Sequence, residues 1–217
     1  MIETGVLFGN IHSFFDLNLI LSPFTPTPAT PKTVYVEVDG ADELIDLTEA
    51  HGKIFYNARD FSFTFTINPN DRMTFDEKFT QVSNALNGKR CKITLDRDPE
   101  YYWIGRCVVN QYKQDKRIGQ VVVNAKVNPY KLKQKPTVHS FSLTGEEQTV
   151  SLWNGRKSVV PVFECTDDNT VVSFGDITET MGAGTHKFLD ICFTEGVNEL
   201  KLSGTGTITI TYQEGEL

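Results

Sequence analysis

One stretch of helical period is written into this chain, and most of what surrounds it alternates with the period of a strand. Phe75, Phe79, Val82 and Leu86 stand at offsets 0, 4, 7 and 11, on one stripe of a helix with 3.6 residues per turn. Thr74 and Glu77 have the S/T-x-x-E spacing of a capping box, in which hydroxyl and carboxylate satisfy orphan N–H groups. Asn87-Gly88 ends the pattern, with Gly88 free to take the left-handed conformation. This spacing predicts a helix over 74–87. Strand-like runs follow at 90–95, 101–110 and 118–127, joined by turns at 96–100 and 114–117, and Asn128-Pro129-Tyr130-Lys131 closes the segment. A helix packed on such a meander is a compact nucleus for a mainly β fold with one α-helix.

Ahead of it, a short strand at 5–8 turns at Gly9-Asn10 into a second strand or extended run. Pro23, Pro26, Pro28 and Pro31 then exclude both helix and central strand, so this part is expected to be extended and exposed. Residues 33–38 read as a strand, 39–42 as a turn and 44–47 as the return. The segment 22–47 is therefore an extended hairpin on a proline-stiffened root. It has too few neighbours to bury both faces, so it must lie on its own domain or on another subunit. Strands are expected at 52–56 and 61–67, the latter with Phe61, Phe63 and Phe65 alternating with Ser62, Thr64 and Thr66. Asn68-Pro69-Asn70 breaks it before the helix.

The segment 131–136 is lysine-rich, ends in proline and sits at a charge reversal, which makes it the domain boundary. The expected domains are 1–133 and 134–217. Short strands are read at 137–143, 148–153, 159–165, 170–174, 185–189, 191–193, 198–202 and 207–212, with Asn154-Gly155 as a tight-turn pair. Short strands at such intervals indicate a β-sandwich. A domain of about 80 residues buries only roughly 60–65% of its unfolded surface, so it leans on the first domain or on a partner.

Composition excludes several function classes. The 217 residues are 39% hydrophobic with 15 phenylalanines, enough for a real core. No apolar run approaches the ~20 residues of a membrane span, and the apolar stretch 14–21 follows Glu3 with no basic region, which argues against a signal peptide. Cys91, Cys107, Cys165 and Cys192 are read as reduced thiols, with Cys91 and Cys107 as candidate cross-strand neighbours. The net charge of −7 is uneven: −6 over residues 1–70, +7 over 71–135 and −8 over 136–217. An overall acidic chain lacks the excess positive charge of a nucleic-acid binder.

No catalytic constellation emerges. His12, His51, His139 and His186 form no ligand pair. Asp96, Asp98 and Glu100 cluster on a loop too short for an EF-hand, and Asp167-Asp168-Asn169 is turn chemistry. Gly182-Ala183-Gly184 and Gly204-Thr205-Gly206 precede strands, so neither is a phosphate loop, and Ser13 and Ser140 lack a nucleophile-elbow context. Glu146-Glu147 sits in a loop without a cleft. Neither cofactor nor metal is expected. Tyr101, Tyr102, Trp103 and above all Trp153 could stack on sugars, which keeps a carbohydrate-binding module open as an alternative; as strand residues they also suit core and interface.

Several motifs together carry a family resemblance. They are Phe8-Gly9-Asn10-Ile11-His12-Ser13 with Asp16-Leu17-Asn18-Leu19, then Val38-Asp39-Gly40-Ala41-Asp42, Tyr56-Asn57-Ala58-Arg59, Asn87-Gly88-Lys89, Asp96-Arg97-Asp98-Pro99 and Asn128-Pro129-Tyr130-Lys131. Their order and spacing resemble the distal tail proteins of long non-contractile-tailed bacteriophages over residues 1–131. Asn154-Gly155-Arg156-Lys157 and Glu195-Gly196-Val197-Asn198-Glu199-Leu200 extend the likeness to the second domain. Arg97 departs from it, since an acidic residue is commoner there. The resemblance implies an N-terminal ring-forming domain of β-sandwich or split-barrel type with a hairpin arm, and a C-terminal galectin-like sandwich. It implies a virion protein, assembled in the host cytoplasm, that forms a hexameric ring. Such a ring joins the tail tube protein to the tail-tip protein and, in many members, to receptor-binding proteins, and it leaves a channel through which DNA passes without specific binding. No enzymatic activity and no membrane partner are implied.

The residues add a route to self-assembly. The acidic arm (Glu37, Asp39, Asp42, Glu43, Asp46 and Glu49, beside Val34, Tyr35 and Val36) is expected to dock on the basic middle of a neighbouring copy. The candidate seat is Lys89, Arg90, Lys92 and Arg106. Contact between unlike surfaces closes a ring when the rotation permits.

Overall fold

The computed structural model describes residues 5–67, 71, 73–115 and 118–217, and divides into two units, Met1–Lys131 and Leu132–Leu217. The protein is mainly β, with one helix among the described residues.

In the first unit the strands are β1 (Val6–Phe8), β2 (Ile11–His12), β3 (Leu19–Leu21), β4 (Tyr35–Val36), β5 (Ile45–Asp46), β6 (Arg59–Ile67), β7 (Arg90–Leu95), β8 (Tyr101–Asp115) and β9 (Ile118–Val127), with α1 (Phe75–Leu86) between β6 and β7. The main sheet runs β2-β1-β7-β8-β9-β6-β3, and its hydrogen-bonded neighbours pair antiparallel. Alternation sets its inner face. Phe61, Phe63 and Phe65 are fully buried, and Phe8 meets Phe63 edge-on at 5.5 Å between ring centres. Fully burying such a ring contributes roughly 1.5–3 kcal/mol, so this face holds the unit together, with Val121, Val123, Ala125 and Val127 of β9 beside it.

The helix starts as its sequence requires. The Thr74 hydroxyl accepts from the Glu77 amide at 3.4 Å, and Glu77 accepts from the Thr74 amide at 2.9 Å. The Thr74 amide and, at 2.8 Å, the Thr74 hydroxyl donate to the Glu77 carboxylate and hold it below its ordinary value. Gly88 follows the C-cap at φ +75° and donates to the Cys107 carbonyl. All four residues of the predicted stripe pack on the core, and one unpredicted residue, Lys78, joins them. Val82 and Leu86 are buried, but Phe75 and Phe79 only partly so, and Lys78 is 3% exposed. The Lys78 ammonium reaches Asp71 at 2.5 Å, the Leu17 carbonyl at 3.0 Å and Gln81 at 2.8 Å. A buried ion thus fastens the helix to the turn before β3.

Other expectations need correction. The run after Gly9-Asn10 breaks into two tight turns, in which Asp16 donates to His12 and Asn18, at φ 55°, donates to Phe14. The expected strand at 52–56 reduces to one bridge, Pro31 to Tyr56. Proline has no N–H to extend a ladder, so the bonds fall on either side, from Lys32 to the Phe55 carbonyl and from Asn57 to the Thr30 carbonyl. The break at 68–70 and the end of the turn at 116–117 lie outside the described residues.

In the second unit β11 (Thr137–Thr144), β13 (Val162–Cys165), β16 (Gly184–His186) and β18 (Thr205–Tyr212) form one sheet, in the order β11-β18-β13-β16. A facing sheet orders β12 (Gln148–Asn154), β14 (Thr170–Phe174), β15 (Ile177–Met181) and β17 (Gly196–Ser203) as β12-β17-β14-β15. β10 (Lys131–Lys133) precedes them and β19 (Gly215–Glu216) ends them. Phe163, Phe193, Leu200, Leu202, Ile208 and Ile210 fill the space between the sheets. Residues 191–193 form no strand, only a bridge from Phe193 to Val159. Asn154-Gly155 is no hairpin turn, since β12 pairs with β17 and the next strand belongs to the other sheet. Instead the fully buried Asn154 side-chain amide donates to the Lys157, Phe193 and Thr194 carbonyls. Asn154→Ala removes the side-chain donor from the Lys157 carbonyl and leaves the Phe193 and Thr194 carbonyls only the Val159 amide and the Asn198 side chain, at about 1–3 kcal/mol. Thermal unfolding of the full chain is expected to begin several degrees lower, while Ser151→Ala on the exposed face of the same strand leaves it unchanged.

Candidate self-assembly surface

The arm begins where the proline segment leaves the sheet, and its root is fastened by arginines that read backbone. Arg59, 7% exposed, donates to the Thr27 carbonyl at 2.5 Å and to the Pro129 carbonyl at 3.2 Å, with its guanidinium over Phe61 and Trp103. Arg97 donates to the Phe24 carbonyl at 2.9 Å. The residue in which the chain departs from its family resemblance is thus a clamp on the root. Phe24 turns inward, its ring 4.4 Å from Phe63, so the proline segment is extended as expected but plugged into the core rather than wholly exposed.

Beyond the root every side chain from 31 to 47 is exposed. The ladder has only two pairs, Tyr35 with Asp46 and Val36 with Ile45. Val34, Tyr35 and Val36 are 51%, 54% and 40% exposed, and Leu44 and Ile45 are exposed too. A two-stranded ribbon with both faces in water is marginal by itself. Glu37, Asp39, Asp42 and Glu43 also face solvent, and Thr48 holds the Asp46 carboxyl below its usual range through hydroxyl and amide hydrogen bonds.

A complementary surface lies on the outer face of the main sheet. The register sets Arg90 of β7 opposite Arg106 of β8, Arg106 opposite Lys126 of β9, and Lys126 opposite Asp60 of β6. Lys92, two residues along β7, shares this face and caps the Tyr102 ring at 4.2 Å. Like charges directly opposite one another destabilise a ladder, so this row is under-neutralised. Beside it lies a recess of about 430 Å³ lined by Asp60, Arg106, Val108, Asn110, Asn124 and Lys126, among others. The buried Asn124 Oδ1 has no partner there. Among the described residues no ion pair joins the arm carboxylates to Lys89, Arg90, Lys92 or Arg106. Of the predicted seat, the structure brings Arg90, Arg106 and Lys92 onto one face, while Lys89 sits in the turn after the helix. Lys126 was missing from it. Its signal was an exposed place in the alternation of β9, but only the register aligns it with Arg106.

The other candidate residues have structural partners. His12 Nδ1 accepts from the Phe14 and Phe15 amides while Nε2 lies 3.0 Å from Asp96, and Asp98 pairs with Lys131. Ser13 Oγ accepts from the Val6 amide. Among the described residues no three of His, Cys, Asp and Glu gather as a metal site. Trp153 is 53% exposed on β12, opposite Val197 on β17. Tyr102 and Trp103 are buried.

The main sheet, the arm, the one helix among the described residues and the two facing sheets of the second unit have the fold of a solved phage protein. A crystal structure of the SPP1 Dit (gp 19.1) protein, described as a paradigm of the hub adsorption apparatus in phages that infect Gram-positive bacteria, superposes with a TM-score of 0.69 over 98% of this chain and 99% of that one, at 13% identity. No family model and no curated protein matches the sequence.

Proposed function

We propose that this protein is the non-enzymatic hub at the distal end of a long non-contractile phage tail. Six copies close into a ring that joins the tail tube to the tail-tip protein and to receptor-binding proteins, with an axial channel for DNA. It is a virion component assembled in the host cytoplasm. The observation that carries this reading is the arm, apolar and acidic, fastened at its root and uncovered beyond it. A ribbon of this kind gains its missing burial from a second molecule, and the under-neutralised row at Arg90, Arg106 and Lys126 has the charge to receive it. The fold shared with SPP1 Dit supports the same assignment.

Light scattering and negative-stain microscopy of the purified chain, alone and with its tail tube protein, test the proposal. Rings that dissociate as salt rises are the expected result. A monomer at high protein concentration and low salt, with the tube protein present, overturns it.

A further inference from the structure

The sulfurs of Cys91 on β7 and Cys107 on β8 lie 4.0 Å apart. The register explains the approach. Cys91 is directly opposite Gly105, which has no side chain, and Cys107 is two residues further on the same face. Cys107 is fully buried and Cys91 partly exposed, so a reagent from solvent meets Cys91 first. An S–S bond is about 2.05 Å long, so the sulfurs must close by roughly 2 Å, a distance that a change of side-chain rotamer can cover.

We propose that Cys91 and Cys107 form a thiol-exchange site that reacts with a low-molecular-weight disulfide, such as oxidised glutathione, to give a cross-strand disulfide between β7 and β8. The Cys91 thiolate attacks one glutathione sulfur. The glutathione S–S bond breaks, one glutathione leaves as thiolate and takes up a proton, and Cys91 carries the other. Cys107 then loses its proton and attacks the Cys91 sulfur, expelling the second glutathione. Two protein thiols are oxidised, one disulfide is reduced to two thiols, and the two protein protons end on glutathione. The order follows from the environments. A hydrogen bond from the Cys107 S–H favours the Cys91 thiolate, and Lys89 helps, whereas that donation and burial push Cys107 well up. Arg90, Lys92 and Arg106 lie on the other face of the same strands, so the new bond would pin their register from beneath.

The test is incubation of the full chain with oxidised glutathione at mildly alkaline pH, followed by thiol titration, intact mass and peptide mapping. Two of the four thiols are expected to disappear without a retained adduct, with Cys91 joined to Cys107 and a rise in Tm of ~3 °C or more that dithiothreitol reverses. Cys107→Ser is expected to stop at a glutathione adduct on Cys91. Four thiols still titratable, an adduct on wild-type Cys91 that does not resolve, or a bridge to Cys165 or Cys192 would overturn the proposal.

Discussion

Replacing Asp39, Asp42 and Glu43 by lysine is expected to abolish ring assembly, and adding Arg90→Glu, Arg106→Glu and Lys126→Glu to the same chain is expected to restore it. The two triplets lie on surfaces that are each short of counter-charge, and no ion pair joins them within one copy. An exposed ion pair contributes about 0.2–1 kcal/mol, whereas a like-charge contact in a desolvated interface costs several. Three reversed charges thus weaken each interface by about 3 kcal/mol or more, at least a hundredfold in its constant. Repeated around a ring, that loss leaves monomers. Sedimentation velocity at fixed concentration reads the outcome, with circular dichroism to show that the variants fold. Rings that survive the arm triplet would mean that the carboxylates do not seat the arm. Failure of the six-fold variant to recover, while folded, would place the seat away from Arg90, Arg106 and Lys126.

Loss of the Lys78 ammonium should be the most damaging single change to the first unit. Lys78→Ala leaves the Asp71 carboxylate, 8% exposed, without its cation, and the Leu17 carbonyl without its donor. Breaking a buried pair from one side costs about 3–5 kcal/mol, a fall in Tm of roughly 10 °C for a unit of this size. Lys78→Met with Asp71→Asn removes both charges, and most of the loss should return. The acid limb separates the variants further. Burial pushes the Asp71 carboxyl up, but the Lys78 ammonium, the Met73 amide and the Asn18 amide outweigh it and hold the group below its ordinary value of 3.8. Its stabilisation is therefore complete above that value and is lost as pH falls through the lower folded one. Thermal melts between about pH 5 and pH 2 should show this loss in the wild type and not in the doubly neutral variant. Equal acid slopes would remove Asp71 from the account.

Local chemistry explains what could be read beforehand. The capping box at Thr74 and Glu77 and the alternation of Phe61, Phe63 and Phe65 depend on neighbours in sequence, and both stand in the structure as read. The arm was legible for a related reason: a proline-rich root and a short hairpin cannot bury themselves, whatever surrounds them. Long-range partners were not. Asn154 looked like a turn because Asn-Gly favours one, yet its amide serves carbonyls at 157, 193 and 194. Lys78 sits at a helix position that could as well have faced water, and nothing nearby marks Asp71 as its partner. Lys126 joined the basic row only through a register that periodicity leaves open.

The arginines at the arm root hold carbonyl oxygens, Arg59 at Thr27 and Arg97 at Phe24. A carbonyl is supplied by every residue type, so these anchors put little demand on which side chains the held segment carries. Mutation can therefore drift widely through 25–31 without unseating the ribbon. Selection should weigh instead on the two guanidinium groups and on the aromatic plug at Phe24, and an arm could be refitted to a different neighbour while its mooring stays the same.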